Sequence, residues 1–107
     1  MIRASFGTDK NGLLGFEISG HSGYSEEGSD IICAAVSAMA DFVIHLAVDI
    51  YKDGGKVFQD DKSASLAFYP SKTESSVLVG GLYDELLALS NEYPKNVSVK
   101  KKDGRKK

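Results

Sequence analysis

The chain holds one cysteine and two histidines. His21 precedes Cys33 by twelve residues, and the segment around them reads Gly20-His21-Ser22-Gly23-Tyr24-Ser25-Glu26-Glu27-Gly28-Ser29-Asp30-Ile31-Ile32-Cys33. The chemistry open to such a pair is acyl transfer. A thiolate attacks a carbonyl carbon, and an imidazole first takes the thiol proton and then activates water. Helix start signals place an N-cap at Ser29 or Asp30, so Cys33 is expected in the first helical turn. Unpaired N–H groups and the helix dipole favour a thiolate there. The same N–H groups suit the oxyanion of a tetrahedral intermediate. His45 is a poor base, because it lies twelve residues further along the same helix, about 18 Å from Cys33.

Each residue also has a plainer reading. A cysteine at an Ala-rich helix start serves equally as a small buried hydrophobe. His21, at a strand end, fits a surface or capping residue. Asp30 is three residues before Cys33 on the same helical face. It can orient His21, order the loop, or cap the helix. Ser37, one turn after Cys33, shares that face and either hydrogen-bonds near the site or packs. No paired Cys or His spacing suggests a metal site, and no glycine-rich phosphate loop follows a strand, so no cofactor is expected.

The elements that must position these residues can be read from periodicity. Ile2, Ala4 and Phe6 alternate with polar residues, as do Leu14, Phe16 and Ile18. With Asn11-Gly12 between them the two runs predict a β-hairpin. Residues 20–29 have no periodicity and read as a loop. From about Asp30 to Tyr51 the pattern is helical, with Ile32, Val36, Met39, Val43, Leu46 and Ile50 on one face and Asp53-Gly54-Gly55 ending it. Val57-Phe58 reads as a short edge strand, and Ala64, Leu66 and Phe68 as a further strand broken by Pro70. A second helix is expected to about Glu92, capped by Thr73, Ser75 or Ser76, with Val79, Leu82, Leu86, Leu89 and Tyr93 as its stripe. Gly80-Gly81 within it suggests the close approach of another backbone. A last strand covers Val97 and Val99. The order β-β-α-β(β)-α-β predicts an α+β fold, a mostly antiparallel sheet with two helices packed on it.

The 107 residues suffice for one domain, taken as residues 1–99, followed by a basic tail at 100–107. Residues 1–99 carry seven basic and fourteen acidic side chains, a net charge of about −7. That balance disfavours direct nucleic-acid binding and suits a basic polypeptide partner. The tail, with six basic residues, is read as a solvated, frayed end. No apolar run is expected to reach the length of a membrane span, and the N-terminus has no apolar signal region. A single cysteine excludes an internal disulfide and points to a reducing cytoplasm.

At Gly20-His21, Gly28, Asp30-Ile31-Ile32-Cys33-Ala34-Ala35 and Ser37-Ala38 the sequence resembles the ribosomal-processing cysteine protease family, Prp. The resemblance implies a small bacterial cytoplasmic endopeptidase, homodimeric. Such a protease removes an N-terminal extension from the precursor of large-subunit ribosomal protein twenty-seven. It implies Cys33 as nucleophile and His21 as base, with Asp30 and Ser37 in support. It also implies a loop, including Ser22, Gly23, Tyr24 and Gly28, that orders over the substrate. A long basic C-terminus is not a mark of that family. The competing function is a non-catalytic module that binds a ribosomal protein or assembly intermediate, with Cys33 in its core. A redox-sensing thiol is the third reading, weakened by the lack of a second cysteine.

Overall fold

A computed structural model describes residues 1–20 and 29–103. Strand β1 (Ile2–Thr8) buries Ile2, Ala4 and Phe6 on one side, as their alternation requires. Strand β2 (Leu14–Ser19) pairs antiparallel with it, Arg3 opposite Ser19 and Thr8 opposite Leu14. Asp9 holds the turn between them. Its carboxylate accepts the N–H groups of Asn11 at 2.8 Å and Leu13 at 3.0 Å, and Gly12 supplies a φ of 82°.

Helix α1 (Ser29–His45) continues into a π-helical turn, Leu46–Ile50. Its inward side chains are Ile32, Val36, Ala40, Val43 and Ala47. Met39 is only partly buried, and Ile50, expected on the inward stripe, is 57% exposed. The wider π turn rotates Ile50 away from the core, and the two alanines take over the stripe. Ile31–Ile50 has a mean hydropathy of 2.1 and is long and apolar enough, by length and composition, to cross a bilayer. The expectation that no run reaches that length is therefore corrected: Asp41 and Asp49 do not interrupt it. In the fold, one side of this helix lies in the core. The residue that ends it is Lys52, at φ 58°, rather than a glycine.

Strands β3 (Lys56–Asp60) and β4 (Ser65–Tyr69) pair antiparallel, and β4 also pairs with β2, Phe68 opposite Phe16. Ala64, expected to begin β4, sits in the preceding turn at φ 50°. Helix α2 (Thr73–Glu92) buries Ser75, Val79, Leu82 and Leu86. None of its expected side-chain caps forms. Lys72 precedes the helix in extended conformation, and Asp53 holds the segment that leads into it. The Asp53 carboxylate accepts the N–H groups of Ser71 at 2.9 Å, Lys72 at 3.1 Å and Gly55 at 2.6 Å, and the Ser71 hydroxyl at 2.8 Å. The Ser76 hydroxyl oxygen instead accepts the Leu14 N–H at 2.8 Å, tying α2 to β2. Gly80 and Gly81 meet no close backbone: a Cβ at either would touch no described atom within 4 Å. That expectation fails.

Strand β5 (Val97–Asp103) runs parallel to β1, Val97 opposite Ile2 and Asp103 opposite Thr8. Lys100, Lys101 and Lys102, expected to fray, are thus strand residues; the rest of that tail, 104–107, lies outside the described residues. The Lys101 ammonium stands 4.7 Å over the Tyr83 ring, which forms a T-shaped pair with Phe6. The sheet order is β3-β4-β2-β1-β5, antiparallel except for the β1–β5 pair. Phe6, Phe16 and Phe68 line up across its inner face and meet the buried sides of both helices in one core. The α+β architecture is the one the periodicity predicts.

Candidate active site

Cys33 is the fifth residue of α1, just past the first turn rather than within it. A helical side chain leans toward the N-terminus, so its sulfur still covers the opening turn. The residue is half-buried and packs against the margin of the core. Beside it runs a groove of about 280 Å³ with three walls. One is the α1 face carrying Cys33, Ser37 and Asp41, successive residues four apart. The second is the end of the hairpin, Ile2, Ile18 and Gly20. The third is the β3–β4 turn with Gln59, Asp60, Asp61 and Leu66.

The topology explains this convergence. The start of β1, the end of β2 and the β3–β4 turn all fall at one end of the sheet, because β2 is antiparallel to both neighbours. Gly20 is the last described residue before His21 and lies in the groove wall. It takes a φ of 91°, and a Cβ there would collide with the Met1 carbonyl oxygen. Glycine is therefore needed both for the conformation and for the approach.

His21, Ser22, Gly23, Tyr24 and Gly28 lie outside the described residues. So does the side chain of Asp30, whose backbone forms part of the first turn of α1. Ser37 is exposed and lines the groove with Cys33. His45 is remote from it; its Nδ1 pairs with the Asp49 carboxylate at 2.7 Å on the outer surface. Sequence reasoning missed Asp41, Gln59, Asp60 and Asp61 as groove residues. Only the pairing of β3 with β4 brings the last three to Cys33, and no local pattern carries that information. A larger cavity of about 370 Å³ lies by Glu17, Tyr69 and Lys102 and contains neither cysteine nor histidine.

A thiol on a helix start, opening into a groove at a sheet end, is an arrangement of the cysteine peptidase class. The model of the family described as cysteine protease Prp matches residues 1–98, and the chain belongs to that family. It is 32% identical to the ribosomal processing cysteine protease Prp of Bacillus subtilis (strain 168), covering 82% of this chain and 85% of that protein. Its fold matches crystal structures of the essential ribosomal processing protease Prp of S. aureus. With a substrate peptide bound, the TM-score is 0.83 at 19% identity, covering 94% of this chain and 99% of that one. With a covalently linked product peptide, it is 0.80 at the same identity and coverage.

Proposed function

We propose that this cysteine peptidase removes an N-terminal extension from the precursor of a large-subunit ribosomal protein, with Cys33 as nucleophile and His21 as its base. The observation that carries the reading is the placement of Cys33, half-exposed at the start of α1 beside a peptide-sized groove, in a chain of the Prp family. The name of the Bacillus subtilis relative supports the substrate class.

The steps are those of thiol acyl transfer. The substrate lies in the groove with its scissile carbonyl at the Cys33 sulfur. His21 takes the thiol proton, sulfur bonds to the carbonyl carbon, and the N–H groups opening α1 receive the oxyanion. The amine leaves with a proton from imidazolium. Water, deprotonated by His21, then releases the new carboxylate and restores the thiol. Gly20, the residue before His21 in sequence, lies in the groove wall and supports that role. Asp30 orients the base or caps the helix, and Ser37 hydrogen-bonds within the groove. Ser22, Gly23, Tyr24 and Gly28 belong to a loop that closes over the peptide. The enzyme acts in the cytoplasm as a homodimer, a reading favoured by Ile31 and Phe42, 75% and 61% exposed on the outer side of α1.

The test is cleavage of the ribosomal-protein precursor by wild type, Cys33→Ala and His21→Ala. Wild type is expected to cut once near the precursor N-terminus, and each variant to lose at least about a thousandfold in kcat/KM. Comparable cleavage by Cys33→Ala would end the proposal.

A further inference from the structure

The sheet has two faces, and the helices cover one of them. Both pack on the side of Phe6, Phe16 and Phe68, and no described element lies over the other side. Side chains that stand opposite each other across a strand pair share a face, so the register gives what the open side displays. It carries four cations, Arg3, Lys56, Lys100 and Lys102, and two carboxylates, Glu17 and Asp60. Glu17 accepts the Tyr69 hydroxyl, and Asp60 accepts the Lys62 N–H at 3.0 Å. Within 4 Å, none of the four cations has an acidic partner among the described residues. Neither α1 with its π turn nor α2 contains a Lys or Arg. The acidic balance of the chain is therefore carried elsewhere, and net charge is a poor guide to this face.

The same face is aromatic. Phe58 and Tyr69, 56% and 40% exposed, form a T-shaped pair with ring centroids 6.1 Å apart. The Tyr69 ring is tied to Glu17 through its hydroxyl and lies over Gly15, where a Cβ would meet it at 3.1 Å. Gly15 stands opposite Gly7, and Gly7 opposite Lys102. Two adjacent strands thus lack side chains between Tyr69 and Lys102, and the cavity of about 370 Å³ opens there. Asp9, at its end, is engaged by the N–H groups of Asn11 and Leu13. Unpaired cations attract a polyanion, exposed rings stack on flat bases, and a bare glycine floor leaves room for one base. An acidic peptide would use the cations but not the rings.

We propose that the open sheet face binds single-stranded RNA. One base sits over Gly7 and Gly15 between Tyr69 and Lys102, another stacks on Phe58, and Arg3, Lys56 and Lys100 hold phosphates. The choice of RNA rests on the reading that the substrate is a ribosomal protein. The Cys33 groove lies between α1 and the end of the sheet, so bound RNA leaves it open.

The test is fluorescence anisotropy of a labelled, A/U-rich single-stranded RNA of about 12 nucleotides, titrated with the full chain. Wild type is expected to bind with a Kd of about 1–100 μM at physiological salt, and more weakly as salt rises. Phe58→Ala and Tyr69→Ala should each weaken binding roughly tenfold. Lys100→Gln should weaken it and lower the salt slope by about 0.7, whereas Lys95→Gln, in the turn before β5, should change neither. A duplex RNA, whose bases are stacked away, should compete at least about fivefold less well. Circular dichroism checks that each variant is folded, and Phe58, on an exposed edge strand, gives a readout even if Tyr69→Ala unfolds. Absence of binding by wild type, equal losses in Lys95→Gln and Lys100→Gln, or full affinity in Phe58→Ala overturns the proposal. So does a wild-type dimer that Phe58→Glu dissociates, because a second copy would then cover the face. Cys33→Ala should bind RNA as wild type does. Failure to cut the ribosomal-protein precursor overturns the substrate reading without touching this measurement.

Discussion

Asp53 joins the exit of α1 to the entrance of α2, and it is 5% exposed. Burial alone would raise its pKa. The Ser75 hydroxyl acts against burial as a nearby dipole, making no bond of ordinary geometry itself, and the bonds from Ser71 and Gly55 add to it. The result is a pKa lowered to about 2 from an ordinary 3.8. A lowered folded-state pKa contributes stability that is complete above about pH 4 and disappears as pH falls toward 2, about 2 kcal/mol in all. Asp53→Asn should therefore lose about that much at pH 7 in urea denaturation. It should also show a shallower loss of stability than wild type between pH 4 and 2; parallel acid profiles would show that Asp53 is not the responsible group. Gly20→Ala forces a side chain into a left-handed backbone and against the Met1 carbonyl, and should cost roughly 1–3 kcal/mol in the same assay. Asp53 was visible in the sequence only as part of a turn. Its partners Ser71 and Lys72 lie eighteen and nineteen residues away, beyond any local signal. Cys33, by contrast, was legible because helix start signals and residue type coincide at one place.

Helices α1 and α2 and the first hairpin could be read from periodicity, since each shows one apolar face to a single core. The details that escaped have physical causes. The π turn changes the number of residues per turn, which no apolar count anticipates, and so Ile50 was misplaced. Lys100–Lys102 look like a solvated run in isolation. They become strand because β1 offers a free edge, and because Lys101 finds the face of Tyr83. Gly80-Gly81 was misread because glycine in a helix has more than one use. With open space at both positions, Gly81→Ala gains helix propensity without a clash. It should raise stability by about 0.5–1 kcal/mol, measured as a higher urea midpoint with unchanged slope. A loss would mean that something does cover that surface.

For the whole molecule, the helix layer leaves apolar surface outward. Ile31, Phe42, Val77 and Ile50 are all more than half exposed. If the homodimer forms on the outer side of α1, Phe42→Glu should convert it to monomer in analytical ultracentrifugation while keeping the circular dichroism of the fold. A monomeric wild type would remove that part of the proposal. The sequence could show that these residues are apolar but not that the core would leave them uncovered, because burial is decided by the packing of all the elements together.

The β1–β5 pairing has a kinetic consequence. Ile2 and Val97 are neighbours in the sheet, yet nearly the whole chain separates them. Closing so long a loop is slow, so native β1–β5 pairing should come late in refolding, after the local hairpins have formed. Until β5 docks, the outer edge of β1 presents unpaired N–H and C=O groups that a neighbouring chain can capture. The refolding yield of this protein should therefore fall steeply with concentration, and a peptide spanning Val97–Asp103 added in excess should restore part of it.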